Sequence, residues 1–133
     1  MVKTPPQLKR AINRYVASLN QYIRIEKVIL FGSYADGRAH DLSDIDLAVI
    51  SPDFDGKSLY KRAALLAKAR VDCDPAIESL AYGSKQYAHA DRQSFIGELK
   101  RTGMIVYGIR PVAQSKELRL AKPTVAKAQS QVR

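Results

Sequence analysis

The run Asp44-Ile45-Asp46-Leu47-Ala48-Val49 constrains this chain more than any other stretch. Successive side chains of a β-strand point to opposite faces, so Ile45, Leu47 and Val49 share one side and Asp44 and Asp46 the other. A single strand is unstable alone. The chain must therefore supply further strands and a layer that covers the apolar side, while the carboxylate side stays polar.

The flanking sequence offers those parts. Thr4-Pro5-Pro6-Gln7 reads as a helix start, with Thr4 as N-cap, proline at the first helical position and Gln7 closing a capping box. Leu8, Ala11, Ile12, Tyr15, Val16, Leu19 and Ile23 follow at helical spacing, as one apolar stripe. Val28 to Phe31 is a short β-rich run that stops at Gly32-Ser33, as a buried strand entering a tight turn should. Ser51 to Gly56 reads as a loop, and Lys57 to Arg70 as a helix with Leu59, Ala63, Leu66 and Ala67 on its inner side. Val71 to Asp74 reads as a strand stopped by Pro75, and residues 76–91 show no clear period. A helix is expected over Ser94 to Thr102, with Phe95, Ile96 and Leu99 inward and Gly103 as its cap, before a final strand at Met104 to Tyr107. The implied fold class is α/β of the α+β kind: a small mixed β-sheet with the acids on one face and helices packed on the other.

With 133 residues and 46% apolar composition, one domain with its own core is expected. The single cysteine, Cys73, excludes an intramolecular disulfide, and Met1 to Pro6 lacks the apolar run of a secretory signal. With no apolar stretch near the ~20 residues that span a bilayer, a soluble cytoplasmic protein without membrane partners is expected. The formal charge of +9 invites a nucleic-acid reading, but residues 110–133 hold six Lys/Arg against one Glu, so more than half of the excess sits there. The expected organisation is a folded domain over 1–109 and a basic C-terminal tail over 110–133, with a short helix around Glu117 to Leu120 compatible with its composition. Direct nucleic-acid binding through that tail is conceivable but not favoured.

The chemistry is concentrated in Gly32-Ser33, ten intervening residues, then Asp44-Ile45-Asp46. Two carboxylates roughly 6 to 7 Å apart on one strand face repel each other unless a cation lies between them, and paired Mg²⁺ ions are suited to that role in phosphoryl chemistry. Gly32 lets backbone N–H groups approach a phosphate, and the Ser33 hydroxyl adds a donor. A nucleoside triphosphate such as ATP, gripped there, would turn its α-phosphate toward the metals, as nucleotidyl transfer requires. A polar hairpin with solvated carboxylates is the non-catalytic alternative. His40 reads as a solvated surface residue and Cys73 as a small core residue.

This signature resembles the minimal nucleotidyltransferase (MNT) family, the smallest branch of the DNA polymerase β superfamily, over the stretch from the first helix to about Gly108. The resemblance implies a polymerase β palm-like nucleotidyltransferase fold and a third acidic metal ligand on a neighbouring strand. Asp74 matches that position best, because relatives often carry an acid followed by proline there; Asp72 is the substitute. Asp36 departs from the pattern, since many relatives have a basic residue at this place, although Arg38 lies two positions on. The resemblance also implies transfer of AMP from ATP to a tyrosine of a HEPN-domain toxin, which makes this chain the antitoxin of such a pair. Transfer to a small molecule of the aminoglycoside kind is the enzymatic alternative. A non-catalytic protein that masks a toxin or contacts nucleic acid is the alternative from another class.

Overall fold

A computed structural model describes residues 2–108. The expected tail over 110–133, with its helix near Glu117, lies outside the described residues. Four strands form one mixed sheet in the order β3-β2-β1-β4. They are β1 (Lys27–Phe31), β2 (Ile45–Ser51), β3 (Ile77–Gly83) and β4 (Met104–Gly108), joined by helices α1 (Pro5–Leu19), α2 (Ser33–Asp36), α3 (Leu59–Arg70), α4 (Ser84–Ala88) and α5 (Phe95–Thr102). β1 is antiparallel to both β2 and β4, whereas β2 and β3 run parallel, and α3 lies on the crossover between them.

The period-two pattern of β2 sorts the core. Ile45, Leu47 and Val49 join Val28, Leu30, Ile77 and Val106 beneath Leu8, Ile12, Tyr15, Val16 and Leu19 of α1 and Leu66 and Ala69 of α3. Thr4 caps α1 as its sequence implies, with both halves of the capping box formed. The opposite face carries Asp46, then a smaller cluster in which Ala48 and Ile50 meet Ile29, Ile105 and Leu99 of α5. Helices thus cover the apolar face, and α5 also packs on the acid-bearing face, from Ile29 and Ile105 to Phe31 beside Asp46.

Three local expectations are corrected. Val71 to Asp74 is not a strand: Val71 donates to Lys68 O and Cys73 to Arg70 O, so the chain is still unwinding from α3, and Asp72 takes a left-handed φ of 66°. Pro75, with no N–H to give a ladder, precedes the true strand rather than ending one. The inner side of α3 is Leu66 and Ala69, while Leu59 is 78% exposed and Ala63 and Ala67 face out, because this alanine-rich helix offers no unambiguous apolar stripe. Phe95 is 44% exposed at the start of α5 and makes an edge contact with Phe31 at 5.4 Å between ring centroids.

β3 is an edge strand, and two side chains fix it. From α1, the Tyr15 hydroxyl lies 2.7 Å from Ser79 Oγ. From α3, Arg62 donates through Nη1 to Ala81 O at 3.3 Å and to Gln86 Oε1 at 2.9 Å. Tyr15 is fully buried, so its phenol cannot exchange this bond for water. Tyr15→Phe is expected to keep the packing and to lose about 1 kcal/mol of stability in denaturant titration.

Candidate active site

The site lies at the end of the sheet where β1 stops and β2 and β3 begin. Register Phe31↔Asp46 places the last residue of β1 beside Asp46, so the chain must turn away immediately after Phe31. Gly32 makes that turn with φ 78° and acts as the N-cap of α2. A methyl group at Gly32 would overlap Asp46 Oδ2. Glycine is thus required twice, for its backbone conformation and for the carboxylate that packs against its Cα. Ser33 opens α2, whose first intrahelical donors are Ala35 and Asp36, both bonded to Gly32 O; the N–H groups of Ser33 and Tyr34 precede them.

The parallel register brings in an acid that the sequence reading missed. Ile45 pairs with Ile77 and Asp46 with Glu78, which sets the two carboxylates on the same face of neighbouring strands. Asp44, one residue before β2, is exposed on that face. Burial holds the Asp46 carboxyl above the usual carboxylate range, and the charges of Asp44 and Glu78 raise it further. The signal was present as a repeat: Ile45-Asp46 and Ile77-Glu78 open two parallel strands in the same way. It was obscured because Ser79 and Ala81 blur the apolar alternation of β3.

Asp74 and Asp72 lie in the turn before β3. Asp74 accepts from Ala76 N–H at 2.9 Å and pairs with Lys3 Nζ at 3.1 Å, whereas the Asp72 carbonyl accepts from Arg14 Nε at 2.8 Å. Asp36 forms an exposed pair with Arg38 at 2.8 Å. His40 is exposed and its Nδ1 accepts from Leu42 N–H, and Cys73 packs against the main core beside Ala69. The donors at the sheet end are therefore hard carboxylate oxygens, a set that suits Mg²⁺ rather than a thiophilic metal. Among the described residues no three such groups already enclose a metal position. That is compatible with Mg²⁺, which keeps waters and takes substrate phosphates as ligands beside one or two carboxylates.

Residues 13–106 match the family described as polymerase beta, nucleotidyltransferase. The chain belongs to this nucleotidyltransferase family. Its fold is shared with a candidate nucleotidyltransferase from Sulfolobus solfataricus, at a TM-score of 0.60 and 12% identity over 80% of this chain and 90% of that one. It is also similar to a toxin–antitoxin structure with AMP-PNP, at a TM-score of 0.55 and 21% identity over 90% of this chain and 85% of the other. A mutant of the toxin–antitoxin MntA-HpeT aligns at a TM-score of 0.51 and 20% identity, over 90% and 84% of the two chains. No curated protein sequence matches the chain significantly. Among the described residues no helix is long and apolar enough to cross a membrane.

Two measurements test this geometry. Gly32→Ala is expected to displace the Asp46 carboxylate or the turn, costing roughly 1 to 3 kcal/mol in stability and most of the affinity for a nucleoside triphosphate. For Asp46, a carboxyl held above its unfolded value has no cost below the ordinary carboxylate range, and the full cost appears once pH exceeds the raised value. Without divalent metal, Asp46→Asn should therefore melt higher than the parent at neutral pH, and the difference should vanish in acid. An equal melting temperature at neutral pH would show that Asp46 is not destabilised by its neighbours.

Proposed function

We propose that this nucleotidyltransferase moves AMP from ATP to an acceptor hydroxyl, with Asp44, Asp46 and a third carboxylate holding Mg²⁺ and the Gly32-Ser33 turn holding the triphosphate. The observation that carries the reading is the meeting of three elements at one sheet end: the glycine turn after β1, Asp46 packed against it, and Glu78 in register across β3. Glu78 serves as the third carboxylate in preference to Asp74, because Asp74 is already engaged by Lys3 and Ala76 and lies off the strand.

Each residue has a separate task. Gly32 lets the phosphates approach the backbone, and Ser33 and Tyr34 contribute N–H groups at the first turn of α2. Asp44, Asp46 and Glu78 concentrate negative charge at a position where a hard cation neutralises it, and α5 fixes the far part of their face. Bound Mg²⁺ would supply charge neutralisation on the phosphates and a lowered pKa for the attacking hydroxyl. Orientation of that hydroxyl in line with the leaving pyrophosphate falls to the acceptor's own docking.

The acceptor we propose is a tyrosine of a partner HEPN-domain toxin, so that the chain acts as an antitoxin. Support comes from the family resemblance of the Gly-Ser and Asp-x-Asp signature and from the fold shared with two toxin–antitoxin structures, one of them with AMP-PNP. Incubation with labelled ATP, Mg²⁺ and the candidate partner tests it. Label should appear on the partner, and Asp44→Asn and Asp46→Asn should each lower the rate by at least about a hundredfold while the fold persists. Glu78→Gln is expected to match them and Asp74→Asn to retain most activity. The opposite order would return the third position to Asp74, and near-normal turnover in folded Asp46→Asn would overturn the metal site altogether.

A further inference from the structure

Beyond the acid-bearing face, one groove at the same end of the sheet has no assigned role. It is a depression of about 520 Å³ between the N-terminal half of α1 and the turn before β3, lined by Lys3, Gln7, Arg10, Ala11, Arg14 and Asp74. We propose that this groove docks an acidic peptide segment of the acceptor protein. The assignment of the peptide to the acceptor rests on the transferase reading above; the groove's preference for carboxylates does not.

The lining is a stripe on α1 distinct from its core stripe. Gln7, Arg10 and Arg14 recur at helical spacing on one side, while Leu8, Ile12, Tyr15, Val16 and Leu19 face the sheet. Three cations against Asp74 leave the groove with two positive charges in excess. Arg10 is exposed and has no partner among the described residues, and Arg14 uses only Nε, on the Asp72 carbonyl. Two guanidinium groups one helical turn apart thus present donor forks of the kind that grip carboxylates in pairs.

The groove already holds one carboxylate of its own. Asp74 receives Lys3 Nζ at 3.1 Å and the Ala76 N–H at 2.9 Å, and the Lys3 backbone N–H in turn donates to Tyr34 Oη at 3.1 Å. No aromatic ring lines it, so it lacks the stacking platform that single-stranded nucleic acid uses, and a peptide is the better fit. Position also favours an acceptor. Asp74 is two residues from Ala76, whose carbonyl accepts from Ile45 N–H at 2.8 Å, between Asp44 and Asp46. A chain seated along α1 lies on the helix-covered side of the sheet and reaches Asp46 and Glu78 by passing round this sheet end.

The test uses the full chain and a fluorescein-labelled peptide of alternating glutamate and alanine, followed by anisotropy at low and at physiological salt. Oligothymidylate and a lysine-alanine peptide serve as comparison probes. The glutamate peptide should bind, more weakly as salt rises, and Arg10→Glu should reduce its affinity about tenfold or more. Lys9→Glu makes the same charge change on α1 outside the groove lining and should cost less than about twofold. Arg14→Gln should fall between them, and thermal melts of all variants should stay close to the parent. Equal losses for Lys9→Glu and Arg10→Glu would mean that net charge alone acts, and the groove proposal would fall. So would a loss at Arg10 confined to oligothymidylate. Peptide binding that depends on Arg10, in a protein that transfers nothing from ATP, would retain the groove and reject the transferase reading.

Discussion

The contact between the Gly32 backbone and the Asp46 carboxylate governs the rest of this molecule. It exists because Phe31 and Asp46 are register partners, and that register is held by a buried ladder of Val28, Leu30, Leu47 and Val49 on the far side of the sheet. A slip by one residue would send Asp46 into that core and Leu47 to solvent. The apolar face therefore positions the polar one. The turn, the carboxylate and the first residues of α2 follow as a unit, since no other side chain fits between Gly32 and Asp46 Oδ2.

Charge is distributed with the same economy. Asp46 feels the charges of Asp44 and Glu78, both exposed to water, which limits the cost of the repulsion while leaving Asp46 shifted. The cations on that face, Lys27 and Lys100, sit over Tyr87 at its far end, beside Ile50 rather than Asp46. Lys3, Arg10 and Arg14 line the flank of α1 instead, and the two surfaces join through the short path from Asp74 to Ala76 and Ile45. Opposite potentials thus lie side by side at one end of a small domain.

Much of this was legible in the residues. The capping box at Thr4, the alternation of β2 and the glycine after Phe31 are local signals with one structural solution each, and the structure adopts all three. β3 was not legible, because strand pairing is a non-local property and its inner positions, Ser79 and Ala81, are small and polar enough to hide the period. The stretch before it misled for a physical reason: Val71 and Cys73 alternate with Asp72 and Asp74 as in a strand, yet helix unwinding from α3 consumes the N–H groups of Val71 and Cys73 before any ladder can. The face of α3 was misjudged because alanines occur on every side of it, so that only the packed structure distinguishes Ala69 from Ala63 and Ala67.

One modest contact bears on how such a protein behaves when concentrated. Arg62 lays its guanidinium over the outer rim of β3 and occupies the Ala81 carbonyl. A strand rim left bare is a template on which foreign chains can grow, and β3 has neither proline nor lysine to discourage that. Arg62 acts as a gatekeeper against fibrillar or swapped assemblies on the second half of β3, away from the end where Glu78 faces Asp46. A chain that lengthened the sheet along this rim would first have to displace the guanidinium from the Ala81 carbonyl.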